Sequence, residues 1–338
     1  MKKFKNVATL ILVLSVVFIS CDGNDDFNDT TPVIDPSNFE LNGILESDKT
    51  LDPSQDYTLT GSYIVKSGVT LTIPAGTQII SEVSTSNYIA IEKGAEINIQ
   101  GTASLPVVMK SSAGNQGDWG GLVILGDALT TEGVNATAEV GGFVYGGTNA
   151  SDSSGNIDYL IIKNAGAQIN ADSQYNGLTL YAVGSGTSIN NVALLDGADD
   201  GVEFFGGSVS ITNLYAENNQ DDSVDWTEGW NGTLTNTYVV HNNEGFSTAI
   251  EADGDNNNPT IINFTAISSV GGTALQFKKM SGATMTNVFL AGYDTNVDMK
   301  DEGPIENIIV DGEAMTDASN NVFNGTAVDI SNWGWVQQ

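Results

Sequence analysis

The sequence predicts an all-β chain wound as a right-handed parallel β-helix solenoid, with three short strands per coil. Three observations predict it. A short phrase, small–apolar–X–apolar, recurs as GLTL at 177–180, GVEF at 201–204 and SVDW at 223–226. It returns as AIEA at 249–252, ALQF at 274–277, NVDM at 296–299 and AVDI at 327–330. A second phrase interleaves with it and carries Asn at 191, 213, 236, 263, 287 and 307. No stretch of the body sustains a helical period, and the whole chain carries 38 Gly. Strand-only repeats of roughly 20–27 residues are single coils of a solenoid. The right hand follows from the rule for parallel crossovers.

Each element then follows in order. Alternating apolar residues over three to five positions make a short strand with one face inward. The inward column runs through Leu178 and Leu180, Val202 and Phe204, Val224 and Trp226, and Ile250 and Ala252. It continues through Leu275 and Phe277, Val297 and Met299, and Val328 and Ile330. No coil buries this face alone, but stacked coils bury a continuous column. In the second phrase the alternation breaks at Asn, where the chain must turn a corner. Asn tolerates the left-handed backbone region, and stacked amides can bond along the axis. Asn191 to Asn307 therefore read as a structural ladder. The stretch YIVKSGVTLTIPAGTQI at 63–79 alternates in the same way and belongs to the same body. The closing NWGWVQQ is expected to cap the last coil, because an open coil end exposes unpaired strand groups.

Charge narrows the function. The chain has 42 acidic residues against 11 Lys, and no Arg. Such a surface repels nucleic acid and anionic lipid and suits cations or neutral, cation-bridged ligands. A solvated acidic surface is the plainer reading of the same numbers.

The N-terminus MKKFKNVATLILVLSVVFISC has Lys2, Lys3 and Lys5, an apolar run from Val7 to Ile19, and the single cysteine, Cys21. It is a secretory signal, too short to span a membrane. It resembles a bacterial lipoprotein signal, with Phe18 where such signals usually carry a small or aliphatic residue. The resemblance implies cleavage after residue 20 and lipidation of Cys21, which would hold the protein to outer-membrane lipid. Residues 1–20 carry three Lys and no acid, so processing makes the chain more negative. The acidic, Pro-containing DGNDDFNDTTPVIDPSN that follows reads as a tether over 21–50, with the β-helix from 51 to 338. An acidic stretch after the lipidated Cys resembles the surface-export signal of Bacteroidetes lipoproteins. That implies an outward-facing outer-membrane location, with a glycan or an outer-membrane transporter as partner.

The phrases GVTLTIPAGTQI, GDWGGLVILG, DDGVEFFGG and DDSVDWTEGWNG carry a further resemblance. They resemble surface lipoproteins of Bacteroidetes and marine bacteria with a pectate-lyase-like β-helix. The resemblance covers nearly all of residues 55–335. It implies the fold and no single activity.

The two acidic phrases DDGVEFFGG and DDSVDWTEG nominate a site. With Val202 and Phe204 inward, Glu203 points outward, followed one coil at a time by Asp225, Glu251, Gln276, Asp298 and Asp329. Asp200 and Asp222 stack one step earlier, and Asp253 lies one step on. Carboxylates on coils about 4.8 Å apart repel by about 1 kcal/mol in water and by more when desolvated. A divalent cation would offset this, and calcium accepts carboxylates from different loops. Asp200, Glu203, Asp222, Asp225, Glu251 and Asp253 are the candidate metal ligands.

Three functions compete for this face. One is a binding module in which calcium sits beside a glycan. Here Trp230 in WTEGWNG either stacks on a sugar or packs in its turn. Another is a calcium-dependent polysaccharide lyase with Lys278 as general base, or a glycoside hydrolase using paired acids. The chain lacks the Arg that most related lyases use for a substrate carboxylate. The last is an acidic rod serving structure or adhesion. His241, the single histidine, falls at a strand end in VVHNN with no catalytic partner in its phrase.

Overall fold

The computed structural model describes residues 39–171, 173–319 and 322–338. The expected signal sequence, Cys21 and the first part of the expected tether lie outside the described residues. The described residues form a parallel β-helix: twenty-three strands belong to one sheet system, joined almost throughout by parallel pairing between successive coils. The winding is the right-handed one expected of parallel crossovers.

Three strands per coil are explicit near the N-terminus, as Thr70–Pro74, Gln78–Ser81 and Ile89–Ile91. Later coils merge two of the three. The long strand Gly155–Lys163 pairs with Glu96–Gln100 through residues 155–158 and with Val107–Ser111 through residues 160–163. It is therefore two strands joined at Tyr159, whose φ is 48°. The same corner recurs at Asn191, Asn213, Asn236, Asn263 and Asn287, all with φ between 53° and 61°. Their side chains form the expected ladder. Asn213 Nδ2 donates to Asn191 Oδ1 at 2.8 Å, Asn236 to Asn213 at 3.0 Å, Asn263 to Asn236 at 2.9 Å and Asn287 to Asn263 at 2.9 Å. Asp158 Oδ1 closes the ladder by accepting from Asn191 at 2.7 Å. Asn307 departs from it. It ends a 3-10 turn, and its amide donates to the Met280 carbonyl instead.

The inward column stacks in register: Leu178 on Val202 on Val224, and Phe204 on Trp226 on Ala252 on Phe277 on Met299. All belong to or pack against one apolar core. The small residue opening each phrase has a cause. A Cβ at Gly201 would meet the Ser223 carbonyl of the next coil at 2.6 Å.

Two expectations about the ends are corrected. The β-helix begins at Glu40, not at residue 51. Strand Glu40–Leu45 pairs with Asp56–Val65, and Lys49–Thr50 pairs with Leu71–Thr72. A register shift between Leu41 and Gly43 breaks the period of two there, so the strand has no clean alternation to read.

At the other end, Val328 and Ile330 do not join the column. From Asn324 the chain leaves the stack and runs back along the outside. Asn324 bridges Phe289 in antiparallel sense, and Val328 N donates to Thr265 Oγ1 at 2.9 Å. Trp335 lies edge-on to Tyr159 with centroids 5.5 Å apart, in an outer apolar cluster with Val108, Ile161, Ala193 and Tyr215. Gln338 accepts from Lys163 Nζ at 2.9 Å and donates to the Ala103 carbonyl at 3.3 Å. NWGWVQQ is a lateral strap rather than a cap.

Candidate acidic site

The outward column is Thr179, Glu203, Asp225, Glu251, Gln276 and Asp298, in register on successive coils. Asp329 lies outside it, on the exposed strap. The column does not face open solvent along its whole length. A long excursion between Leu125 and Gly155, carrying the antiparallel pair Ala136–Thr137 and Val144–Tyr145, brings Glu139 to its N-terminal half. The loop after Lys163 adds Gln168, Ser173 and Gln174. Together they wall a cavity of about 410 Å³ whose floor is Asp199, Asp200, Glu203, Asp221 and Asp225.

Within this cavity the carboxylate oxygens of Asp200, Glu203 and Asp225 lie within 4.8 Å of one another, as do those of Asp199, Asp200 and Asp221. Asp200 Oδ1 accepts from the Asp222 N–H at 2.9 Å. Glu203 Oε2 accepts from Asn176 Nδ2 at 2.7 Å. Asp199 Oδ1 accepts from Gln174 Nε2 at 2.9 Å. Asp225 retains some exposure overall, but its Oδ1 is sealed from solvent and has no hydrogen-bond partner. Burial and the crowding of like charges push Asp200, Glu203 and Asp225 well above the usual carboxylate range. Burial, then the charge of Asp221, pushes Asp199 up to about 7. The arrangement either retains protons or accepts a cation.

The C-terminal half of the column differs because it has counter-charges. Lys278 Nζ pairs with Glu251, which also accepts from Gln276. Lys279 pairs with Asp253 at 3.0 Å, and Lys300 with Asp298 at 2.7 Å. Of the six expected metal ligands, the fold thus brings together Asp200, Glu203 and Asp225. Glu251 stands next to Asp225 in the column but is paired with Lys278, and Asp253 is paired with Lys279, so neither is part of the three-carboxylate group. Asp222 stands beside the cluster, turned toward Thr248, whose hydroxyl donates to its Oδ1 at 2.5 Å. Burial, then the Glu251 charge, raises Asp222 to about 8.

Lys278 reaches the acidic face as its spacing from Gln276 implies. Burial lowers its proton affinity, but the bond to Glu251 and the charges of Glu251, Asp225 and Asp222 outweigh that and raise it. A general base must shed its proton near the working pH, so this pairing works against that role.

Trp230 is corrected outright. It is fully buried, stacked on Phe204 with centroids 4.2 Å apart, and its indole N–H donates to the Val209 carbonyl at 3.0 Å. Glu228 and Gly229, with φ of 52° and 75°, turn the chain just before the ring enters the core. It offers no face to a sugar.

Sequence reasoning missed Asp199, Asp221 and Glu139. The first two stand in the doubled DD of each acidic phrase, where only the second Asp was selected. Glu139 arrives from an excursion that no repeat marks. Among the described residues no helix is long and apolar enough to cross a membrane.

The family model described as a pectate-lyase like beta helix domain matches residues 43–332. No curated protein and no solved structure matches the chain. With the coil register, the Asn ladder and this match over most of its length, the chain belongs to the pectate-lyase-like β-helix domain family.

Proposed function

We propose that this protein is a cell-surface binding module, held to the outer membrane through lipidated Cys21, whose Asp200–Glu203–Asp225 cluster holds a divalent cation. The observation that carries the reading is the sealed, unpartnered Oδ1 of Asp225 beside two further carboxylates, with no base among the residues lining the cavity. A buried carboxylate oxygen without a donor is costly, and a cation relieves both that and the mutual repulsion. The donors are all oxygen and come from two adjacent coils, which suits calcium better than a metal seeking nitrogen or sulfur. The cavity beside the cluster leaves room for calcium's remaining oxygen ligands from water or from a glycan or partner protein. The protonated pairing of Lys278 supports binding over elimination chemistry.

Calcium titrated into the metal-free protein, followed by calorimetry and by melting temperature, tests this. At a hundredfold excess over Kd, one site binding only the native state stabilises by about 2.7 kcal/mol. Asp225→Asn is expected to abolish most of that response. A wild-type melting temperature indifferent to millimolar calcium would overturn the reading. The anchoring is tested separately: Cys21→Ala should release the protein from the membrane fraction.

A further inference from the structure

A second cavity adjoins the acidic one, and it shares Glu139 with it. Its volume is about 260 Å³, and its walls include Glu132, Glu139, Tyr145, Tyr181, Phe205 and Glu228. No Lys lines it. The rings form one side: Tyr181 stacks on Phe205 at 4.3 Å and tilts against Tyr145 at 4.8 Å.

The hydroxyl of Tyr181 is the unexplained atom. Tyr181 is 1% exposed, and its hydroxyl has no hydrogen-bond partner. Its neighbour shows the usual solution, since the Tyr145 hydroxyl lies 2.8 Å and 2.9 Å from the two Glu228 oxygens. The charges acting on the Tyr181 hydroxyl come from Glu139, Glu203, Tyr145 and Glu228, which places it among the acids of both cavities. Buried hydroxyls are normally bonded, so one left without a partner on a residue that lines a cavity is a position awaiting a ligand atom.

The chemistry of the walls selects that ligand. A neutral sugar could hydrogen-bond to the hydroxyl and to carboxylates, but it would bring no charge to offset Glu132, Glu139 and Glu228, of which Glu228 already accepts from Tyr145 and Thr130. A bare metal ion could satisfy the carboxylates but would gain little from the ring wall. An organic ammonium does both: its N–H groups donate to the Tyr181 oxygen and to carboxylates, and its charge is attracted to aromatic faces.

We infer that the cavity walled by Tyr181, Tyr145, Phe205, Glu139 and Glu228 binds an organic ammonium group, carried by a free amine or by an amino-sugar unit of a glycan. The inference does not rest on the cation reading of the neighbouring cluster.

The test is calorimetric titration of the purified protein with 1,4-diaminobutane, glucosamine, glucose and N-acetylglucosamine, each with saturating calcium and again with chelator. Binding of one or both amines, without binding of glucose or N-acetylglucosamine, is the expected result. If diaminobutane and glucosamine bind alike, the site reads the ammonium alone. If only glucosamine binds, the source is an amino sugar. Glu228→Gln should weaken amine binding by roughly tenfold. Tyr181→Phe, which keeps the stacked ring, should weaken it without lowering the melting temperature. Equal binding of glucose and glucosamine, absence of amine binding up to millimolar concentration, or undiminished binding in a folded Glu228→Gln would overturn the assignment. A failed calcium response leaves each of these outcomes readable.

Discussion

Glu203 and Asp225 are register partners on adjacent parallel strands, and both carboxylates enter one cavity in which no base faces them. One coil further on, Glu251 occupies the same column and is neutralised by Lys278. The column is thus divided by charge into an uncompensated half and a compensated half. The division has measurable consequences.

The uncompensated half should make the metal-free protein less stable as pH rises. Asp199 at about 7, Asp222 at about 8, and the raised Asp200, Glu203 and Asp225 all bind protons more tightly folded than unfolded. The sign follows from linkage: their contribution is complete below about pH 4 and is lost as pH climbs to 7–8. In chelator, the melting temperature is expected to fall across that window. Asp225→Asn should flatten the fall and raise the melting temperature at pH 8 by about 2–4 °C, with little change at pH 4. A pH-independent wild-type melting temperature between 4 and 8 would contradict this.

The compensated half should respond to loss of its ammonium. Lys278→Met keeps the aliphatic stem and leaves Glu251 facing Asp225 without a counter-charge. The Lys278 side chain is 29% exposed, so solvent screening still limits the cost, and a loss of about 1–2 °C is expected at low ionic strength. The loss should shrink in about 0.5 M salt. Parallel melts at the two salt concentrations decide it.

The Asn ladder separates backbone conformation from hydrogen bonding. Asn236 sits at φ 57°, donates to Asn213 and accepts from Asn263. Asn236→Ala incurs the left-handed penalty of about 1–2 kcal/mol and also strands its neighbours' amides. A total of about 2–4 kcal/mol is expected in urea unfolding. Asn236→Gly keeps the conformation accessible and should lose about 1–2 kcal/mol less. Equal losses in the two variants would show that the corner itself carries no strain.

His241 provides a pH signature opposite in sign to that of the acids. Its ring is fully buried, stacked on Phe246 at 3.6 Å, with Nε2 3.0 Å from Ser223 Oγ and Nδ1 2.9 Å from the Tyr293 hydroxyl. Burial lowers its pKa to about 4. The unfolded chain takes up this proton near pH 6.5 and the folded chain only near 4, so stability is lost as pH falls between those values. As the single histidine, it is readable by proton NMR. Its ring signals should stay unshifted from pH 8 down to about 5.5, whereas a midpoint near 6.5 would contradict the buried placement of the ring.

Those residues also show what could be read from the sequence. Phe204, Trp226 and Phe277 were legible as a column because strand periodicity leaves a local mark at every coil. Asn191 to Asn287 were legible because a left-handed corner restricts the residue that occupies it. Glu203 and Asp225 inherited their place from that same register. Glu139 and Tyr145 were not legible, because they lie on an excursion whose folding back depends on contacts distant in sequence. Tyr181 does lie on a coil strand, but nothing in its phrase shows that the excursion covers it. Trp230 was read as equally a surface or a turn aromatic because its neighbours are polar. The left-handed pair Glu228 and Gly229 turns the chain there, and composition does not show that. Asn307 and Val328 kept the pattern of the repeat while the chain around them had already left it.

The lateral strap changes how a one-dimensional stack behaves. Coils that contact only their neighbours can fray one at a time from either end. Here the last residues of the chain touch Lys163 and Ala103, many coils back, so the C-terminal coils cannot peel away while Trp335 remains seated. The stack is splinted, and its unfolding becomes more nearly all-or-none. The splint also imposes a timetable. The outer face around Val108, Ile161 and Tyr215 stays uncovered until Trp335 and Val336 have seated on it, so the middle coils complete their packing only after the strap has been added.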